Sequence, residues 1–289
     1  MRLLLIGRTG QLGGDLLRNG AEHEWIAPGR DTLDVEKPEQ IRAAIASAGP
    51  DAVINCAAFH NVPLCEEQPQ RAFRVNCVAM RDLARACVDA GTRLVTFSSD
   101  YVFGGERRTP YAEDDPARPL QVYGITRLAG EHAVMAAASG SAMVIRTCGL
   151  YGASGARSKG GNFVDGRVAD ARAGKTIEMA CEQVVAPTAT DDLSKAVLRL
   201  IAHPGAAPGI YHLASEGQCS WYEFTVAIAE AVGAATKIIA VDRGGLTGAM
   251  RRPLYSVLAN TRARALGITM PKWRDSLRRY IARKHPAAP

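Results

Sequence analysis

The sequence predicts an α/β protein: a doubly wound parallel sheet with a small C-terminal lobe. Three observations predict it. Short apolar runs alternate with longer segments of helical period through the first half of the chain, the pattern of strands joined by crossover helices. The strand-sized runs are apolar at nearly every position, as strands covered on both faces must be. A glycine triplet stands between the first run and the first helix.

The elements follow in order. Arg2 to Gly7 reads as a buried strand and Gln11 to Arg18 as a helix. His23 to Ala27 is a second strand, Pro38 to Ser47 a helix, and Asp51 to Cys56 a third strand. Gln70 to Ala90 predicts one long helix, with Ala72, Phe73, Val75, Val78, Leu83 and Ala84 near 3.6 spacing. Thr92 to Ser98 is a fourth strand, Tyr123 to Ala138 a helix, and Ala142 to Arg146 a fifth strand. After Tyr151 the rhythm changes. Ala153 to Gly161 is a Gly/Ser-rich loop, and the later elements are shorter. The division expected is a cofactor-binding core over 1–150 and a mainly substrate-binding part over 151–289, with elements returning to the core.

Composition narrows the function classes. The chain has 289 residues, 47% hydrophobic and 22% charged, which supports a packed core and excludes a disordered chain. No apolar run approaches the roughly 18–20 residues of a membrane span. Gly7 interrupts the first apolar run and no cleavage pattern follows, so a cytoplasmic location is expected, with no membrane partner. Seven cysteines, an odd number with no CxxC pair, predict reduced thiols rather than a disulfide framework or zinc site; no metal is expected. The net charge of +6 is uneven: residues 251–284 hold ten Lys/Arg and one Asp. No nucleic-acid motif accompanies this zone, so a small phosphorylated ligand or a solvated helix face is the expectation.

The glycine triplet is Gly7-Arg-Thr-Gly10-Gln-Leu-Gly13. After a strand and before a helix, it permits a tight turn, lets the backbone approach a pyrophosphate, and presents free N–H groups at the helix N-terminus. A Rossmann-type dinucleotide site is predicted, with Gly7, Thr9, Gly10, Gln11, Leu12 and Gly13 in contact. A packing turn is the alternative. After the second strand the chain reads Ala27-Pro28-Gly29-Arg30-Asp31. No acid stands directly at the strand end to take ribose hydroxyls, and Arg30 suits a 2′-phosphate. NADP(H) is therefore favoured, with NAD(H) the alternative. Asp34 and Val35 are expected beside the adenine. Cys56, Ala57 and Ala58 are small enough for close approach, and Asn76 and Ser98 complete the cofactor set.

The reactive constellation is Ser98-Ser99-Asp100-Tyr101 after the fourth strand, then Tyr123-Gly-Ile-Thr-Arg127 opening a helix. Positions i and i+4 stack on one helix face. A cation at 127 is expected to lower the Tyr123 pKa towards the working range, and a strand-end hydroxyl to bond a reacting carbonyl. The catalytic set predicted is Ser99, Tyr123 and Arg127, and Tyr123 and Arg127 also meet the cofactor. A second such spacing, Tyr280 to Lys284, has no strand-end serine before it and reads as coincidence.

The chain resembles the NDP-4-keto-6-deoxysugar reductase branch of the extended short-chain dehydrogenases, the dTDP-4-dehydrorhamnose reductase family. The stretches that carry the resemblance run the whole length. They are Gly7 to Gly13, Leu33-Asp34-Val35, Asn55 to Ala58, Phe97-Ser-Ser-Asp-Tyr-Val-Phe103, Val122-Tyr-Gly-Ile-Thr-Arg-Leu-Ala-Gly-Glu131, Arg146-Thr147, Leu150-Tyr-Gly152, Gly161-Asn-Phe163, Ala186-Pro-Thr188, Gly209-Ile-Tyr-His-Leu213 and Arg252-Pro253, ending with Leu266-Gly-Ile268 and Trp273-Arg274. The resemblance implies reduction of a sugar 4-ketone, with hydride from nicotinamide, Tyr123 as general acid, Arg127 on the nicotinamide ribose, and Ser99 on the ketone. It implies a nucleotide-sugar partner met by His60, Val62, Ser99, Asp100, Tyr101, Gly149, Asn162, Phe163, Pro187 and Arg252, with the basic C-terminal zone around the diphosphate. A homodimer is the candidate assembly.

The chain departs from the family pattern at three places. Arg127 stands for Lys, Arg146-Thr147-Cys148-Gly149 for Arg-Thr-Ser-Trp, and His60-Asn61-Val62-Pro63 for Thr-x-Val-Asp. These changes imply a different sugar or reduced catalysis. Two alternatives therefore stay open: a reductase or epimerase of another substrate, and a weakly catalytic NAD(P)-binding regulatory protein, resembling the regulatory subunit of methionine adenosyltransferase.

Overall fold

A computed structural model describes residues 1–154, 161–247 and 250–286. Part of the Gly/Ser-rich loop, residues 155–160, lies outside the described residues. In the first half, β1 (Arg2–Ile6) leads into α1 (Gln11–Asn19), then β2 (Glu24–Ile26), α2 (Pro38–Ala48) and β3 (Ala52–Asn55). Next come α3 (Val62–Glu67), α4 (Pro69–Phe73), a π-helical turn at Arg74–Val78, and α5 (Ala79–Asp89). They are followed by β4 (Arg93–Ser99), a 3₁₀ turn at Asp100–Val102, α6 (Val122–Ala138) and β5 (Ala142–Thr147).

These strands form one parallel sheet, joined by a sixth from the second half, β10 as numbered below. The order is β2-β1-β3-β4-β5-β10. The direction of winding reverses between β1 and β3, and ligands of such sheets sit outside the carboxyl ends at that reversal. Side chains alternate across the sheet. Leu3 and Leu5 enter one buried cluster with Leu12 and Leu16 of α1, while Leu4 and Ile6 enter another with Ile41, Met80 and Leu83 on the opposite face. Both faces are thus covered, and this is why the strands read as continuous apolar runs.

The second half is built from short pieces: β6 (Leu150–Tyr151), α7 (Phe163–Arg172), β7 (Ile177–Ala180), β8 (Val184–Val185) and β9 (Thr188–Ala189). They are followed by α8 (Thr190–Ala202), β10 (Gly209–His212), β11 (Cys219–Ser220), α9 (Trp221–Ala231), β12 (Ile238–Val241), β13 (Leu246–Thr247), β14 (Met250–Arg251), α10 (Thr261–Ala265) and α11 (Trp273–Lys284). α8 returns to the sheet and packs with α1, its Leu193, Val197 and Leu200 in the first cluster. α7, α9 and α11 form a separate aromatic-rich cluster around Phe224, Trp273 and Tyr280. Among the described residues no helix is long and apolar enough to cross a membrane.

The long helix expected from Gln70 to Ala90 is present as one continuous helical run over residues 69–89, with a π-helical turn at Arg74–Val78 inside it that the sequence did not announce. α6 approaches closely at this turn: a Cβ at Gly130 would stand only 2.0 Å from the Asn76 carbonyl oxygen. The extra residue in the turn accommodates that crossing. α3 was also unforeseen. Its start is fixed by Asn61, whose Oδ1 accepts the Leu64 N–H at 3.2 Å, and by Pro63 in the first turn.

Candidate active site

The carboxyl end of β1 delivers the glycine loop to the reversal of the sheet. Gly10 caps α1 without any side-chain bond, so the first helical N–H groups face outward. A Cβ at Gly13 would lie 2.3 Å from the Gly7 carbonyl oxygen, so only glycine lets the helix start this close to the loop. A Cβ at Gly7 would meet Cys56 and Ala57 at 3.1 Å, and the ends of β1 and β3 are therefore in contact. This bare cradle at a helix N-terminus, which a side chain would fill, fits a pyrophosphate.

At the end of β2, Arg30 is exposed and stands 3.5 Å from both Asp34 and Glu36. Asp34 shapes its own turn, accepting the Glu36 N–H at 3.0 Å. Val35 is buried in the cluster beneath. Sequence reading missed Arg8. Its guanidinium reaches across to Gly29, 4.0 Å from where a Cβ would project, and so stands beside the turn that carries Arg30.

The β3 end is organised by Asn55, buried, whose Oδ1 accepts the Ala57 N–H at 3.1 Å. Beyond it, Asn76 holds the loop. Its Oδ1 accepts the Phe59 N–H at 2.9 Å, and its Nδ2 donates to the Phe59 carbonyl and to Thr126 Oγ1. The same Oδ1 receives Arg127 Nη1 at 3.5 Å. Asn76 therefore ties the loop carrying His60 and Val62 to the helix carrying Tyr123 and Arg127.

Ser99 is the last residue of β4 and pairs with Thr147 across the sheet. Its hydroxyl donates to Asp100 Oδ1 at 2.8 Å and accepts the Tyr101 N–H at 3.2 Å. Asp100 is buried; its other oxygen accepts from Ser256 Oγ at 2.6 Å, and burial pushes its carboxyl up. Asp100 thus orients Ser99 from behind. Tyr101 packs edge-on against Tyr123 at 6.1 Å, and its hydroxyl accepts from Arg252 Nη1 at 2.8 Å.

Tyr123 itself corrects an expectation. Burial pushes its phenol above the ordinary value of 10.0; the neighbouring Arg127 and the hydrogen bond with Ser99 pull it down without cancelling that rise. Arg127 is buried, 5% exposed, and Nε has no hydrogen-bond partner. Ser98 Oγ is also buried and unpartnered, and it lines the same cavity of about 10 Å³ as Arg127 and Asn76. Among the described residues, no carboxylate pairs with Arg127.

On the lobe side, Phe163 packs at a tilt against Trp221 at 4.8 Å, and Gly149 lies against Pro187 and Trp221. Asn162 is spent on structure: Oδ1 caps α7 through the Asp165 N–H at 2.9 Å, and Nδ2 donates to the Gly152 carbonyl and the Tyr280 hydroxyl. The Tyr280–Lys284 pair is internal too, both side chains bonding Asp165. The basic C-terminal zone is largely counter-charge rather than a ligand clamp. Arg262 pairs with Asp114, Arg264 with Glu216, Arg279 with Asp192, Arg283 with Asp191 and Lys284 with Asp165. Arg252, which reaches Tyr101, is the member that approaches Ser99 and Tyr123.

The family described as RmlD substrate binding domain matches residues 1–285. The chain belongs to that family. It is 35% identical to the spore coat polysaccharide biosynthesis protein SpsK of Bacillus subtilis, with 99% of each chain covered. It is also 35% identical to a dTDP-4-dehydrorhamnose reductase of Mycolicibacterium smegmatis, covering 97% of this chain and 85% of that one. Among solved structures, the dTDP-4-dehydrorhamnose reductase of Bacillus anthracis in complex with NADP superimposes with a TM-score of 0.91 at 29% identity, covering 98% of this chain and 99% of that one. The Rossmann-type sheet and its lobe are thus shared with the family over their full length.

Proposed function

We infer that the protein is an NAD(P)H-dependent reductase of a nucleotide-activated 4-keto-6-deoxysugar, with a dTDP-4-dehydrorhamnose-type sugar as the first candidate. The observation that carries it is the convergence of Ser99, Tyr123 and a buried Arg127, which pairs with no carboxylate among the described residues, at the same carboxyl edge of the sheet as the open glycine cradle. Family membership and the names of the relatives support the same reading.

The glycine loop and the α1 N-terminus hold the cofactor pyrophosphate, and Arg127 takes the nicotinamide ribose hydroxyls with its unused donors. When bound, the reduced nicotinamide supplies a hydride to the sugar C4. Tyr123 donates its phenolic proton to the ketone oxygen as that carbon is reduced, so ketone, hydride and proton balance to an alcohol. The phenol carries its proton at neutral pH, and Arg127 and Ser99 offset part of the rise that burial causes, which favours release of that proton to the ketone. Ser99, held beforehand by Asp100 and the Tyr101 N–H, bonds the same oxygen by turning its single hydroxyl proton from Asp100 Oδ1 to the ketone. Arg252 meets the substrate diphosphate. Arg8 and Arg30 flank the adenosine ribose and favour NADPH. Arg8 is the stronger of the two, since Asp34 and Glu36 already offset Arg30.

The test is NADPH and NADH oxidation with dTDP-4-keto-6-deoxy-L-lyxo-hexulose generated in situ. Turnover that Tyr123→Phe abolishes, with NADPH affinity kept, supports the reading. Tight NADPH binding without turnover on this or another dTDP-4-keto-6-deoxysugar refutes it. Arg8→Ala is expected to raise the KM for NADPH and leave that for NADH unchanged; equal effects on both would remove the NADPH preference.

A further inference from the structure

Gly149 lies two residues beyond Thr147, the direct partner of Ser99 across the sheet. Cys148, between them, hydrogen-bonds Asp100. Position 149 therefore belongs to the reacting, sugar end of the site. Its φ of +54° lies in the left-handed region, and a Cβ there would stand 3.2 Å from Pro187 Cα and 3.3 Å from Trp221 Cη2. The far edge of the Trp221 indole already takes up the room that a side chain at 149 would need.

Trp221 is held unusually firmly for a half-buried residue. It begins α9 directly after Ser220, whose hydroxyl accepts the Glu223 N–H while Glu223 accepts the Ser220 N–H at 2.7 Å. This reciprocal cap fixes the backbone at the root of the side chain. The ring packs on Phe163 at 4.8 Å and on Phe224 at 6.1 Å. It touches both the lobe cluster and the cluster of Phe103, Cys148 and Ala186 at the seam with the sheet. Trp221 is half-buried, and its six-membered ring presents a rigid apolar edge to Gly149.

We propose that Trp221 is a specificity-determining residue that, with Gly149, forms the apolar wall receiving the C5–C6 methyl edge of a 6-deoxysugar. This rests on the reductase reading above. A methyl group packs against such an edge, whereas a 6-hydroxyl placed there loses its water and gains no partner. Ser99 and Arg252 meet polar atoms of the same ligand, so the wall discriminates at C6 and not at C4 or the diphosphate.

The experiment is a calorimetric titration of dTDP-6-deoxyglucose and dTDP-glucose into the NADPH-saturated protein, wild type, Trp221→Phe and Trp221→Ala. Wild type is expected to prefer the 6-deoxy ligand about tenfold, the scale of discrimination one such group gives in an apolar pocket. Trp221→Ala brings the two affinities together, and Trp221→Phe, which keeps an aromatic ring on Phe163 and Phe224, falls between. NADPH affinity stays constant and reports folding. A preference unchanged in Trp221→Phe and in any folded Trp221→Ala overturns the proposal and leaves the reductase reading standing. A wild type that binds neither dTDP-sugar overturns the reductase reading, and the wall with it.

Discussion

Two arginines of nearly equal burial should respond to the same substitution with opposite signs. Arg127 is 5% exposed and Arg146 is 3% exposed. Arg146 is fully engaged: Nε and Nη2 grip Glu131 at 2.9 and 2.7 Å, and Nη1 donates to the Glu113 carbonyl at 3.2 Å. Arg127 has one long bond to Asn76 at 3.5 Å, a bare Nε, and no carboxylate among the described residues. Methionine keeps much of the apolar stem of either side chain. Arg146→Met leaves Glu131 as a lone buried charge and costs about 3–5 kcal/mol. Arg127→Met removes an uncompensated buried cation and gains about 1–3 kcal/mol. At about 2–4 °C per kcal/mol for a chain of this size, the cofactor-free melting temperature falls by about 6–20 °C in the first variant and rises by about 2–12 °C in the second. Differential scanning fluorimetry with and without saturating NADPH reads both. NADPH should raise the melting point of Arg127→Met less than that of wild type, because the ribose has lost its cation. A fall for Arg127→Met in the cofactor-free protein, with an undiminished NADPH shift, would refute the view that this charge is stored for the cofactor.

Other outcomes follow from the same geometry. The rate of reduction should be flat through neutral pH and fall only above pH 10, where the raised Tyr123 phenol begins to ionise; a basic limb well below that in the kcat profile would remove Tyr123 as the proton donor. Burial and the neighbouring Arg146 hold His212 down to about 3, so the folded protein keeps it neutral while the unfolded chain takes up a proton below its ordinary 6.5. Stability should therefore be full above about pH 6.5 and decline as the pH falls towards 3, a slope that urea titrations should find flattened in His212→Gln. Arg252→Ala should raise the sugar-nucleotide KM about tenfold with little change for NADPH, as loss of one charge-assisted contact does, and equal KM values would remove it from the substrate site.

The fold was legible because both of its signals are local. Runs such as Leu3 to Ile6 are apolar throughout only where two faces are covered, and Ser99 and Tyr123 were found by position, one at a strand end and the other opening a helix. What escaped depends on contacts far apart in the chain. Nothing within Arg74 to Val78 announces a π-helical turn, and the neighbour packed closely on it, Gly130, stands more than fifty residues on. The basic zone was visible as charge but not as pairing. Arg279 finds Asp192 and Lys284 finds Asp165 only after α11 docks against β9 and α9. Trp221 carried no signal beyond the cap that precedes it, since its relation to Gly149 exists only in three dimensions.

The seam between lobe and sheet also bears on how the site is assembled. Asp100 accepts one hydrogen bond from Ser99, beside the proposed acid, and another from Ser256, more than 150 residues away. Four residues earlier in that distant segment, Arg252 reaches the Tyr101 hydroxyl, and Tyr101 lies edge-on to Tyr123. The strand-end turn from Ser99 to Val102 is therefore gripped at two points by the C-terminal part of the chain. On the reading proposed above, a diphosphate at Arg252 would draw on the same guanidinium that holds Tyr101, and a shift of that segment would reach Asp100 and the Ser99 hydroxyl through Ser256. Ser256→Ala should accordingly lower kcat more than it changes the KM for either ligand, since it loosens Asp100 without touching the diphosphate or the cofactor. A variant with wild-type kcat would show that Asp100 holds Ser99 unaided.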